Sequence, residues 1–302
     1  MSIFDQKVIK YEMKPLSSLE KVFPDETPVY RMECQMLSGL WGETVSFQVA
    51  YTGDFVMRER LDVRVVSELA EHVHVRTVEM VPVGRATNGI VDDNYLKTTS
   101  GLYPDLLKDL KDGKVIVYSR QWRSLWVDVD ITNEIPAGEY EIELQLIKEG
   151  EVVCSAKQKV TVIGTELPKL DIMHTEWMHA DCLADYYHVE VFSEEHWKLL
   201  ENYFQEYVKR DCNMMLTPLF TSPLDTAIGL ERTTCQLIDV EVKDGEYVFG
   251  FEKLKRWIDL CKKCGIEYFE MSHLFSQWGA KYAPKVVATV NGKKEKIFGW
   301  HT

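Results

Sequence analysis

The densest gathering of titratable and aromatic side chains in this 302-residue sequence holds His174, Glu176, Trp177, His179, Asp181, Cys182, Asp185, Tyr186 and His188. Aromatic faces stack on pyranose rings and carboxylates hydrogen-bond sugar hydroxyls, so the mixture suits a sugar-binding or hydrolytic cleft. The plainer alternative is a loop whose polar groups satisfy one another. A second gathering spans Thr217 to Thr226 and Gly229 to Thr234 and contains Asp225 and Arg232. Pro218 and Pro223 restrict that backbone, which then presents its side chains with little entropy left to lose. The alternative there is a brace between Arg232 and a carboxylate. The third gathering holds Glu270, His273, Gln277 and Trp278. Glu270 is either a site carboxylate at a strand end or a buried structural one, and Trp278 offers a platform for a sugar ring.

Other chemistries find less support. His174, His179, Asp181 and His273 are the residues a metal-dependent hydrolase would use, yet their spacing matches neither HExxH nor paired CxxC motifs, so no metal is assigned. Cys261-Lys-Lys-Cys264 is a lone CxxC without a second pair. GxGxxG, Walker and GxSxG motifs are absent, which removes the commonest nucleotide and serine-hydrolase readings, and no cofactor is expected.

The elements that would position these residues follow from periodicity. From about Thr27 to Gly164 apolar residues alternate, as in Val45, Phe47, Val49 and Tyr51 or Ile142, Leu144 and Leu146, which predicts half-buried strands and a β-sandwich. Gly84 to Gly113 shows no strand period and reads as a long excursion between strands. After Thr165-Glu-Leu-Pro168 the pattern changes. A short apolar strand is expected at Leu170 to Met173, then a helix capped by Ser193 with Trp197, Leu200, Phe204, Tyr207 and Val208 on its apolar face. A strand at Asn213 to Leu216, a helix from about Phe251 ending at Gly265, and a strand at Ile266 to Met271 complete the array. Hairpins are predicted around Asp244-Gly245 and Asn291-Gly292. Each titratable gathering follows a predicted strand, the face on which barrel enzymes carry their chemistry.

Composition sets outer bounds. Lys and Arg total 35 against 48 Asp and Glu, a formal net charge of -13 that disfavours nucleic acid and anionic membranes as partners. No apolar run reaches the length of a membrane-spanning helix, Met1 to Lys14 lacks the core of a secretory signal, and seven irregularly spaced cysteines do not form a disulfide framework. The expected location is cytoplasmic.

The stretch His174 to Trp300 resembles the catalytic region of glycoside hydrolase family 123 and the related domain of unknown function 4091. The residues that carry the resemblance are His174-Thr-Glu-Trp177, Asp181-Cys-Leu-Ala-Asp185-Tyr186, Asn213-Met-Met-Leu-Thr217-Pro218, Pro223-Leu-Asp225-Thr226, Glu231-Arg232 and Glu270-Met-Ser-His273 through Gln277-Trp278-Gly279-Ala280. Glu43-Thr-Val-Ser-Phe47-Gln48, Tyr103-Pro104-Asp105 and Pro136-Ala-Gly138-Glu-Tyr140 extend it into the first half. The resemblance implies a β-sandwich joined to a (β/α)8 barrel. It also implies β-N-acetylgalactosaminidase activity, in which the substrate's own 2-acetamido group is the nucleophile and an adjacent Asp-Glu pair orients it and protonates the leaving group. No adjacent Asp-Glu occurs between His174 and Thr302, and Asp25-Glu26 lies in a Pro-flanked turn, so the pair is expected to be missing here.

The sequence therefore predicts a β-sandwich over residues 1–165 and the first part of a TIM-like barrel over 166–302, truncated or closed by a partner copy. The substrate that the resemblance implies is a terminal β-linked N-acetylhexosamine, and His174, Glu176, Trp177, Asp181, Asp225, Arg232, Glu270, His273 and Trp278 are expected to line its site. The rival reading is a non-catalytic carbohydrate-binding or assembly protein that forms homo-oligomers.

Overall fold

A computed structural model describes residues 10–29, 36–55, 58–87, 89–169, 171–224, 226–276 and 279–302. It divides into two compact units, Met1–Pro168 and Lys169–Thr302.

The first unit contains ten strands among the described residues: β1 Lys10–Ser17, β2 Met36–Trp41, β3 Thr44–Asp54, β4 Glu59–Val66, β5 Val73–Val83, β6 Gly101–Asp109, β7 Lys114–Val117, β8 Arg123–Asp130, β9 Gly138–Lys148 and β10 Glu151–Glu166. They form two five-stranded sheets in the orders β1-β3-β8-β5-β6 and β2-β10-β9-β4-β7. Phe47, Val49, Leu125 and Val127 from the first sheet and Leu61, Leu144, Leu146 and Val160 from the second bury into one apolar cluster. Each such side chain contributes on the order of 2 kcal/mol when fully buried. The outer face of β3 is covered as well, because Leu16, Val22, Ala50 and Trp122 pack there. The Gln48 carboxamide accepts from Ser124 Oγ at 2.8 Å and donates to Glu20 O at 2.7 Å, which fixes the segment after β1.

Two elements depart from the sequence pattern. The expected excursion over Gly84 to Gly113 contains β6, and β1 lies ahead of the region where alternation begins. β6 is an edge strand that leaves Leu102 and Leu106 exposed and includes Pro104. An edge buries neither face consistently and tolerates proline, so period two is lost.

In the second unit the elements are α1 Ala180–Tyr187, α2 Glu194–Val208, β11 Met214–Thr217, β12 Asp239–Lys243, β13 Glu246–Gly250, α3 Glu252–Cys264, β14 Tyr268–Met271, β15 Val286–Val290 and β16 Lys293–Phe298. The Ser193 hydroxyl caps α2 by accepting from His196 N at 3.2 Å. Trp197, Leu200 and Phe204 on α2 meet Trp257 and Cys261 on α3, with the Phe204 and Trp257 rings edge to face at 5.0 Å. Gly265 ends α3 with φ 104°, a left-handed conformation that glycine adopts freely. β11 and β14 pair in parallel, and β13-β12-β15-β16 form a separate four-stranded sheet. Both expected hairpins are present, with Asp244 and Gly245 at φ 50° and 84° and Asn291 and Gly292 at 49° and 79°, the positive values of type I′ turns. Among the described residues no helix is long and apolar enough to cross a membrane.

The strand expected at Leu170 to Met173 is not formed over 171–173, and Leu170 lies outside the described residues. Ile172 and Met173 are exposed instead of facing a core. The stretch expected to be a loop holds α1, whose buried side includes Ala180, Leu183, Ala184 and the carboxylate of Asp181. The parallel sheet accordingly has two strands rather than three among the described residues.

His196 joins the starts of α1 and α2. Its Nδ1 accepts from Phe192 N at 2.9 Å, so the ring proton sits on Nε2 and donates to Ala180 O at 3.0 Å. Burial pushes the His196 pKa below its ordinary 6.5 by disfavouring the charged form. The unfolded chain therefore binds a proton that the folded chain refuses. The stability contributed by this histidine is complete above pH 6.5 and falls as pH drops toward the lowered folded value. Thermal unfolding followed from about pH 7.5 to about pH 5 should show a falling Tm that is shallower in His196→Gln; identical pH slopes would contradict this.

Candidate functional site

The site region is assembled around Asn213. Its side-chain Oδ1 accepts from His174 N at 2.8 Å and its Nδ2 donates to Ile172 O at 2.8 Å, so a carboxamide replaces the missing strand partner of the 172–174 segment. The Asn213 backbone completes the junction: its N–H donates to His174 O, and its carbonyl accepts from Glu267 N and Tyr268 N, each at 3.0 Å. Tyr207, on the half-buried side of α2, sends its hydroxyl to Met214 O at 2.6 Å and receives Glu176 N at 2.8 Å. Burial raises its pKa, which keeps the phenol protonated and able to donate. These contacts place residues 174–177 beside β11, and the β11–β14 register sets Leu216 opposite Glu270.

Trp177, Glu270 and His273 come together at the C-terminal end of β14. Trp177 Nε1 donates to Glu270 Oε2 at 2.9 Å, and His273 meets the Trp177 ring edge to face at 5.6 Å and 77°. Trp177 remains 48% exposed, which leaves ring surface accessible. Glu270 is half-buried, and its Oε1 has no protein partner among the described residues.

Asp181 and Arg232 form a second, drier assembly. Arg232 Nε donates to Asp181 Oδ2 at 2.8 Å and its terminal nitrogen to Oδ1 at 3.1 Å, a bidentate fork. The guanidinium also reaches Leu224 O at 3.2 Å. Burial alone would lower the Arg232 pKa, but the paired carboxylate holds it above its ordinary value. Thr233 extends the connection by donating to Asp185 at 2.9 Å. This is the brace that the sequence left open, and it ties α1 to the loop after β11.

His174 faces away from both assemblies, with Nδ1 3.1 Å from Asp211 O and Nε2 3.6 Å from Glu176 Oε1. His174, Asp181 and His273 thus have separate partners, and no group of three or more metal-ligating side chains occurs among the described residues. Asp225 and Trp278 lie outside the described residues. Sequence reasoning missed Asn213 and Tyr207 as junctions. Both roles depend on partners about 30 to 40 residues away, and a tyrosine at helical spacing is read as an apolar residue.

Removing Arg232 would leave the Asp181 carboxylate buried and unpaired, a change that typically costs about 3 kcal/mol or more. Urea unfolding of Arg232→Ala should show a loss of that size. Arg232→Lys should recover only part of it, because an ammonium cannot form the two-pronged contact; wild-type stability in Arg232→Ala would refute the brace.

Residues 177–302 match the family model "Glycoside hydrolase 123, catalytic domain". Among solved structures, a family 123 glycoside hydrolase from Clostridium perfringens, studied for glycolipid glycan hydrolysis, aligns with a TM-score of 0.69 at 13% identity, covering 96% of this chain and 52% of that one. This chain therefore spans about half the length of that relative. A β-glucosidase from Listeria innocua aligns with a TM-score of 0.25 at 10% identity over 53% of this chain and 17% of its own. No curated protein matches the sequence. The match to the glycoside hydrolase 123 catalytic domain thus falls on the segment 177–302, which carries Trp177, Glu270 and His273.

Proposed function

We propose that this chain supplies sugar-binding surface to a glycoside hydrolase acting on terminal β-linked N-acetylhexosamine of the N-acetylgalactosamine type. The observation that carries the reading is the Trp177 to Glu270 hydrogen bond of 2.9 Å beside His273. It offers an aromatic face and a carboxylate oxygen to one ligand, within a segment matching a glycosidase catalytic domain. In this proposal the two sheets of the first unit are a β-sandwich, and β11 and β14 are neighbouring strands of a (β/α)8 barrel. Their parallel pairing across an intervening helix supports the barrel, since such crossovers build it.

Glu270 Oε1 accepts from a ring hydroxyl, and Trp177 stacks on the apolar face of the sugar. His273 limits rotation of the indole, and the Asp181–Arg232 fork holds the adjoining loop. In the substrate-assisted retaining route the substrate's acetamido oxygen attacks its own anomeric carbon, so the protein need not supply a nucleophile. The described residues here bind and orient. Binding without turnover is the second reading, in which Trp177 and Glu270 hold a sugar and no bond is broken. In that reading the chain is a carbohydrate-binding or assembly protein that forms homo-oligomers.

Isothermal titration with N-acetylgalactosamine tests the site. Glu270→Gln keeps an acceptor for Trp177 but loses the charge, and Trp177→Ala removes the ring. Each should weaken binding by more than about 1 kcal/mol, roughly fivefold to tenfold. Unchanged affinity in both variants would remove these residues from the site.

A further inference from the structure

In the first unit the apolar layer between the sheets turns cationic at one end. The register sets Arg123 opposite Tyr51 and Lys108 opposite Thr77, which itself lies opposite Leu125. Directly opposed residues in an antiparallel pair share a face. Tyr51 and Leu125 belong to the core, so Arg123 and Lys108 project on the same inner side. A cavity of about 630 Å³ opens there, bordered by residues of edge strands β6 and β7.

Its lining carries Arg58, Arg60, Lys108, Lys111, Lys114 and Arg123, although the whole protein has a net charge of -13. Arg60 pairs with Asp112 and Lys114 with Asp62. Among the described residues the other four cations form no ion pair. The lining also carries three carboxylates, Glu59, Glu79 and Asp109, so its cations outnumber its carboxylates six to three, and Glu59 is already engaged by Lys148 and Tyr11. Arg123 is the most informative. Its guanidinium lies 5.0 Å from the centroid of the Tyr118 ring and donates to Gln121 Oε1 at 3.0 Å, yet its Nε is buried without a hydrogen-bond partner. A buried donor left unmatched is costly, and a concave lining with an excess of one sign favours an ion of the other.

We propose that this cavity binds an oxyanion-bearing saccharide, carboxylated or sulfated. Arg123 and Lys108 hold the anion, and Tyr118 supplies ring contact. The volume falls in the range of pockets that enclose small ligands, enough for about two sugar rings. The saccharide part rests on the glycan reading above, whereas the anion part rests on this cavity.

Titration of the full chain with 3′-sialyllactose, a sulfated N-acetylgalactosamine disaccharide and neutral lactose tests the proposal. At least one acidic probe should bind while lactose does not, and affinity should fall about tenfold between low and physiological salt. Arg123→Gln and Lys108→Gln should each weaken that binding about tenfold, with unfolding curves unchanged. Glu270→Gln, in the other unit, should leave it intact. Failure of both acidic probes, equal binding of lactose, or unaltered affinity in both cavity variants would overturn the site. Loss of acidic-probe binding in Glu270→Gln alone would also overturn it, while leaving the glycan reading standing.

Discussion

The second unit depends on satisfying the backbone of a segment that is not a strand. Residues 172–174 form no part of the β11–β14 ladder, so their amide groups need other partners, at a net gain of about 1 kcal/mol for each hydrogen bond made. Asn213 supplies two of those partners with one side chain, because a carboxamide offers the same donor and acceptor as a peptide group. Its backbone meanwhile joins β11 to the start of β14. Trp177 reaches Glu270 because this junction sets where the chain leaves residue 174, and Tyr207 then fixes residue 176 from the side of α2.

What the sequence makes legible here is local physics. The Ser193 cap, the Trp197, Leu200 and Phe204 face of α2, the Gly265 terminus and the two type I′ turns each depend on residues within a few positions of one another. Alternation in β3, β8 and β9 is visible because one face of each meets the shared core. β6 hides because it is an edge, and α1 hides because Asp181 occupies part of its buried side. A buried carboxylate reads as polar surface until its partner, Arg232, is brought back from 51 positions along the chain.

The same reasoning explains how much of the site could be read in advance. Residue types and strand ends drew attention to Trp177, Glu270, His273, Asp181 and Arg232, but they did not reveal that these five separate into two assemblies with different characters. Trp177, Glu270 and His273 form an open group in which one Glu270 oxygen has no partner among the described residues, suited to a ligand. Asp181 and Arg232 are mutually saturated and suited to holding a loop in place. Partner choice made that division, and spacing along the sequence does not encode it. His196, with no signal beyond its own presence, proves to be a neutral tie between two helix starts.

The most direct test of the account is a crystal structure of this chain grown with N-acetylgalactosamine. The account predicts sugar density against the exposed face of Trp177, with a ring hydroxyl within hydrogen-bond distance of Glu270 Oε1 and the Asp181–Arg232 fork unbroken. Ordered sugar elsewhere in the second unit, with Trp177 and Glu270 still bound only to each other, would contradict it.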